Sequence, residues 1–261
     1  MSPFVVMSSL LVAVAACGRV GFDPATSASD AASIRQVCGA KSTAPDPLTI
    51  KSYAFGYLDF MNTRAPASGA AIQAYDASGT LRAETTTAAD GTYTLSIATG
   101  GVAPRLSVRG ILAGSWQTDE FYAAPLDADL TTFATETRPF GEVPIWSGGS
   151  MASIYLILGA TLDPATGTVN VTTLDCSGNP LGGVSVTLDP PAKRSVYIDG
   201  NGAAVPGALG TIAPNVLQLS TNVPPGPTRI TASKPGYEFA PVEIVVQAGD
   251  YNELVEMRPL L

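Results

Sequence analysis

The residues able to do chemistry in this chain are few, and an absence narrows the field first. Histidine does not occur, which removes the usual general base near neutral pH and the commonest zinc ligand together. Triads of the Ser-His-Asp and Cys-His types are therefore excluded, and no catalytic residue, metal ligand set or cofactor is assigned. Asp119 with Glu120, and Asp127 with Asp129, have the chemistry of a glycosidase. Such pairs must face each other across a bound sugar, however, and their settings read as solvated loops. Asp199-Gly200-Asn201-Gly202 has part of the oxygen spacing of a calcium loop but lacks the further carboxylates and distal Glu, so it reads as a turn. Trp116, Tyr122 and Trp146 fall in or beside loops. Of these, Trp116 and Tyr122 form the pair expected to stack on a sugar or dock a peptide, with core packing as the alternative.

Cys17 has the most specific setting. It follows the apolar run Phe4-Val5-Val6-Met7-Ser8-Ser9-Leu10-Leu11-Val12-Ala13-Val14-Ala15-Ala16, about 20 Å long if helical. That is too short to span a bilayer and matches the apolar core of a secretory signal. Val14-Ala15-Ala16-Cys17 resembles the lipobox of bacterial lipoproteins. The resemblance implies cleavage after Ala16 and a diacylglyceryl group on the Cys17 thiol, each buried acyl methylene contributing about 0.8 kcal/mol of anchorage. Met1 to Ser9 carries no Lys or Arg, so an ordinary signal peptide with an incidental cysteine stays open. By the same resemblance, Gly18 after the cysteine implies sorting to the outer membrane of a diderm cell. Cys38 and Cys176 would then remain, an even number in an oxidising compartment, either bridged to each other or as two separate thiols.

The elements that must carry these residues are short strands. The chain has 261 residues, 46% of them hydrophobic, with 26 Gly and 21 Pro, enough apolar matter for real cores and frequent enough punctuation for an all-β fold. Its net charge of −8 repels phosphate backbones, so nucleic acid is not an expected partner. The densest basic pair, Lys193-Arg194, reads as a solvated loop. From Gly18 to Asp46 the chain is rich in Ala, Ser, Thr, Asp and Pro without sustained periodicity, which predicts a flexible tether of roughly 30 Å root-mean-square reach.

Beyond the tether, period-two alternation predicts strands in the stretches 53–60, 69–76, 90–97 and 105–109, and the order repeats at 167–171, 183–188, 216–220 and 229–232. Two copies of one module account for this most simply. Between them, Ser150 and Gly159 bracket a two-turn helix, read as an apolar connector wedged between the copies.

Gly-Ala-x-Ile-x-Ala-Tyr-Asp at 69–76, then Asp90-Gly91-Thr92-Tyr93-Thr94-Leu95, together with Asp175 to Val184 and Asn222-Val223-Pro224-Pro225-Gly226, resemble the carboxypeptidase regulatory-like, transthyretin-like β-sandwich and the B-type repeats of bacterial surface proteins. The resemblance implies an all-β chain of two tandem Ig-like sandwiches. Its layout is a signal peptide at 1–16, a tether at 17–47, a first sandwich at 48–140, a connector with a short helix at 141–164 and a second sandwich at 165–261. Some B-type repeats carry an internal Lys-Asn isopeptide. That cross-link needs a Lys on the first strand, and Thr168 to Leu174 offers none, although Asn252 falls on the expected last strand.

The function these readings imply is that of a non-enzymatic, lipid-anchored envelope protein whose sandwiches act as spacer, scaffold or recognition element for a protein or glycan. An accessory subunit of a secreted hydrolase, or a carboxylate-based hydrolase, are the alternatives.

Overall fold

The computed structural model describes residues 42–57, 64–115, 117–121, 142–249 and 251–260, all within one compact unit, Ser33–Leu261. Cys17, Cys38, Trp116, Tyr122, Asp127 and Asp129 lie outside the described residues. The first half contributes β1 (Leu48–Tyr57), β2 (Arg64–Pro66), β3 (Ala71–Asp76), β4 (Leu81–Thr86), β5 (Thr92–Ile97), β6 (Leu106–Ile111), β7 (Gln117–Phe121) and β8 (Val143–Trp146). A helix, α1 (Gly148–Ile157), follows. The second half contributes β9 (Gly167–Thr173), β10 (Ser185–Asp189), β11 (Arg194–Ile198), β12 (Ala204–Val205), β13 (Leu217–Val223), β14 (Gly226–Ser233), β15 (Val242–Val246) and β16 (Tyr251–Met257).

Alternation explains the strands that form sandwich walls. In β5, Tyr93, Leu95 and Ile97 are buried while Thr94 and Ser96 face water, and in β10 Val186 and Leu188 are buried between Ser185, Thr187 and Asp189. Each half is a sandwich around its own core. Leu48 and Ile50 of β1 and Leu95 and Ile97 of β5 meet Ile72 of β3, Val108 of β6 and Val143 of β8 in the first. Val169 and Val171 of β9 meet Val186, Ile230 and Ile244 in the second. Each such side chain, fully buried, contributes about 1.5–3 kcal/mol. Gly110 lets β8 approach β6, because a Cβ there would overlap Val143 Cγ1.

The repeat holds strand for strand. β1 pairs antiparallel with β5 and parallel with β8, just as β9 pairs antiparallel with β13 and parallel with β16. Likewise β3-β6-β7 and β10-β14-β15 are antiparallel ladders in the same order. The halves differ in the strand that follows the second wall: β4 stays beside β3, whereas β11 pairs with β13.

The two sandwiches share a sheet. Nine strands run in the order β12-β11-β13-β9-β16-β7-β6-β3-β4, and the parallel β7–β16 ladder, from Tyr251 opposite Gln117 to Val255 opposite Phe121, joins the halves. Residues ahead of β1 are also stitched down: Ala44 donates to Gly101 O and Ala103 donates to Ser42 O, on the β5–β6 loop.

The helix begins earlier than the Ser150 cap read from the sequence. Ser147 O accepts the Met151 N–H at 3.0 Å, which makes Ser147 the capping position. It ends as expected at Gly159, with φ 61°, where Ala160 N–H reaches Tyr155 O and Gly159 N–H reaches Leu156 O. Its buried face docks on the second sandwich: Leu158 packs with Ile198 and Leu219, and the Tyr155 hydroxyl pairs with Thr168 Oγ1 at 2.7 Å. Trp146 is half-buried against Met151 and Tyr155.

Candidate functional site

The polar groups most sharply set by the fold lie where the two halves join. Register places Arg109 of β6 opposite Asp119 of β7, and Asp119 opposite Glu253 of β16, so the three side chains project from one face of the shared sheet. The next strand, β9, presents Val169 beside Glu253. This face is the outer one in the first sandwich, since Leu106 and Val108 face its core. In the second sandwich it is the inner one, since Val169, Val171 and Val255 face that core. The row thus crosses from a polar surface into an apolar interior.

Arg109 and Asp119 form a bidentate pair, Nε to Oδ1 at 2.5 Å and Nη2 to Oδ2 at 2.6 Å. Asp119 is 3% exposed, which corrects its reading as a solvated loop acid. The fork geometry meets both carboxylate oxygens at once, which makes burial of that charge tolerable. The guanidinium also lies over the Tyr75 ring, 4.9 Å from its centre, and Tyr75 donates to Gln73 Oε1, whose amide donates to Glu84.

Glu253 is fully buried, and neither of its carboxyl oxygens has a hydrogen-bond partner among the described residues. Burial first, and then repulsion from Asp119, push its carboxyl well above the usual carboxylate range against the pull of Arg109 and the Gln247 backbone. A second buried acid sits just ahead of β8. Glu142 is held by Arg64 Nη1 at 3.2 Å, and burial pushes its carboxyl up to about 7.

A carboxyl that keeps its proton near neutral pH is a general acid by type. Glu253, however, is sealed inside the sheet, and its acidic neighbour stands on the adjacent strand instead of across a cleft, so the geometry of a glycosidase pair is not met there.

On the opposite face of the same strands, Asn170 Nδ2 donates to Asn252 Oδ1 at 2.5 Å, and Asn252 stands in register with Thr168. The position a cross-linking Lys would need on β9 is thus filled by short polar side chains.

The Asp199 stretch is a tight hairpin turn. Its Oδ1 accepts the N–H groups of Asn201 and Ala203, and Asp199 N–H bonds to Ala203 O. The same pattern recurs twice: Asp76 accepts from Ser78 and Thr80, and Asp175 accepts from Ser177 and Asn179. Cys176 is exposed at the tip of the Asp175 turn and is disulfide-bonded, its partner lying outside the described residues. Lys193 and Arg194 are exposed, and Arg194 Nη1 donates to Gly159 O at the C-terminal end of α1. Trp116 and Tyr122, the aromatics expected at a recognition surface, immediately precede and follow β7 in sequence.

The sequence reading missed the Arg109–Asp119–Glu253 row because β7, Gln-Thr-Asp-Glu-Phe, carries no apolar alternation. The usable signal was an unpaired Glu253 inside Tyr-Asn-Glu-Leu-Val-Glu-Met, where a charge interrupts a strand otherwise suited to a core.

No protein-family model and no curated protein matches the chain. Among solved structures, the shaft pilin SpaA from Lactobacillus rhamnosus GG is similar at 13% identity and a TM-score of 0.25, over 82% of this chain and 98% of that one. The minor pilin GBS52 of Streptococcus agalactiae is similar at 10% identity and 0.26, over 82% and 97%. The TIE protein of Bacillus anthracis is similar at 10% identity and 0.26, over 81% of this chain, which spans only 34% of that protein. These likenesses are distant, and no residue role is carried over from them.

Proposed function

We propose that this chain is a lipid-anchored envelope protein without catalytic activity, in which Cys17 carries the acyl group and the joined sandwiches act as a spacer or scaffold presenting a recognition surface for a protein or glycan. The observation that carries the reading is the apolar run ending in Val14-Ala15-Ala16-Cys17 ahead of two sandwiches fused through one sheet. Among the described residues no helix is long and apolar enough to cross a membrane. The outer membrane of a diderm cell is the proposed location, and Trp116 and Tyr122 are the proposed contact aromatics.

We assign Cys38 as the partner of Cys176. The register supports this: Val255 pairs with Phe121 and Val171, and Phe121 pairs with Ser107. The Cys176 turn and the β5–β6 loop that binds Ser42 and Ala44 therefore occupy the same end of the shared sheet. β6 and β9 are about 14 Å apart there, at about 4.8 Å per strand step, a span that the few residues between Cys38 and Ser42 reach. Such a bridge leaves Cys17 free for acylation.

Intact-mass analysis of the membrane fraction from cells expressing the full chain, beside Cys17→Ser, tests the anchor. A mature chain beginning at an acylated Cys17, lost in C17S, is expected; an unacylated mature chain cut elsewhere would overturn it. Non-reducing peptide mapping of the same sample should yield a Cys38–Cys176 peptide pair, and a Cys17–Cys176 pair would refute both assignments.

A further inference from the structure

The β7–β16 ladder is a join between two bodies that each have a core. At its centre lies a carboxyl with no hydrogen-bond partner among the described residues, in a place with 0% solvent exposure. A structural ladder gains nothing from such a group: a leucine or valine, as at Val169 one strand over, would fill the space without the cost of an unmet polar atom. We propose that the seam between the halves is a proton-dependent joint, closed while Glu253 is neutral and loosened when it ionises beside Asp119.

The charged surroundings fix the direction. From β7, Asp119 faces Glu253, and from β6 Arg109 faces Asp119 with both forks engaged. Further out on the same row stand the neutral Gln73 of β3 and then Glu84 of β4. β9 offers Val169, and after β15 the Gln247 backbone is close. One guanidinium therefore serves two carboxyls, and its bidentate geometry is already committed to Asp119. A proton on Glu253 removes the second negative charge. Its loss puts two carboxylates on adjacent strands, with Arg109 the one cation on this row among the described residues, and Glu253 where water does not reach.

The load falls on the seam more than on the sandwiches. Asp119 and Arg109 belong to the first half and Glu253 to the second, so repulsion acts across the β7–β16 ladder. Strands such as β10 and β14, which bond within the second half alone, do not carry it.

Hydrogen exchange on the full chain between pH 5 and pH 9, corrected for intrinsic rates, reads the joint directly. Amides of 117–121 and 251–257 are expected to lose protection by about tenfold or more over that range, the effect of roughly one pKa unit of coupling. Amides of β10 and β14 should hold theirs. In Glu253→Gln the seam should lose no more protection over that range than β5 does. A seam that loses protection no faster than β10 and β14, or an E253Q chain with the wild-type pH dependence, overturns the proposal. Should E253Q fail to fold, the side-chain carboxyl carbon of Glu253, followed by NMR in the wild-type chain, must titrate together with the seam amides, and titration at an ordinary carboxylate pH refutes the idea.

Discussion

At the scale of single residues, the buried acids make the clearest demands. A carboxyl that stays protonated in the fold but ionises in the unfolded chain makes folding take up a proton. Stability from such a group is complete below the unfolded pKa and falls as pH rises towards the folded one. For Glu142 the window runs from 4.5 to about 7. Glu142→Gln is expected to remove this slope, worth about 1–2 kcal/mol after solvent screening through the half-exposed Arg64, as read from urea midpoints at pH 4.5 and 7.5. An unchanged difference between the two midpoints would mean that the acid is ionised in the fold. Arg109→Ala tests a paired acid instead, since Asp119 is 3% exposed and the Arg109 fork meets both of its oxygens. Removing one partner of a buried pair costs about 3–5 kcal/mol, and a loss under about 1 kcal/mol would show that water reaches Asp119.

At the scale of elements, the helix and the turns show how local chemistry is reused. The Tyr155 hydroxyl reaches from α1 to Thr168 of β9 at 2.7 Å and to the Asn222 backbone of β13, in a buried setting. Tyr155→Phe is expected to cost about 1 kcal/mol, measured by thermal or urea unfolding, and a neutral result would place the anchoring of α1 in apolar packing alone. The three Asp turns follow one plan, with the carboxylate accepting the N–H groups two and four residues on. They were legible in the sequence as Asp followed by Gly at the corner, as were walls such as β5 and β10, because one face of each meets water and the alternation survives.

What could not be read are β7, Gln-Thr-Asp-Glu-Phe, which carries no apolar alternation, and the covering of both faces of β9 and β16. β9 is buried along its whole length, with Thr168, Asn170 and Thr172 lying on the face beneath α1. Its alternation of Val169 and Val171 with Thr168, Asn170 and Thr172 marks a strand, but not that the polar face is covered as well. The same physics hid the candidate site: an acid that belongs to a strand buried on both sides looks, in one dimension, like an acid in a loop.

At the scale of the whole molecule, the question is whether two cores make two folding units. Separate sandwiches on a tether would unfold independently, each with its own midpoint. Here the nine-stranded order makes β16 the closing strand of the second half and the edge partner of the first, so β16 cannot leave without unpairing both β9 and β7. The ladder is short, however, and its centre holds the unbonded Glu253, so its strength depends on pH beyond the slope that Glu142 gives the first sandwich.

At pH 5, with that carboxyl neutral, calorimetry of the full chain is expected to give one transition with matching calorimetric and van't Hoff enthalpies. Ile72→Val, a change confined to the first core, should then lower the exchange midpoint of β14 as well as that of β5. Near pH 9, the two midpoints should separate. Two transitions already present at pH 5, or an Ile72→Val effect confined to β5, would mean that the shared sheet is geometric continuity without energetic coupling, and that the sandwiches behave as a hinged pair at every pH.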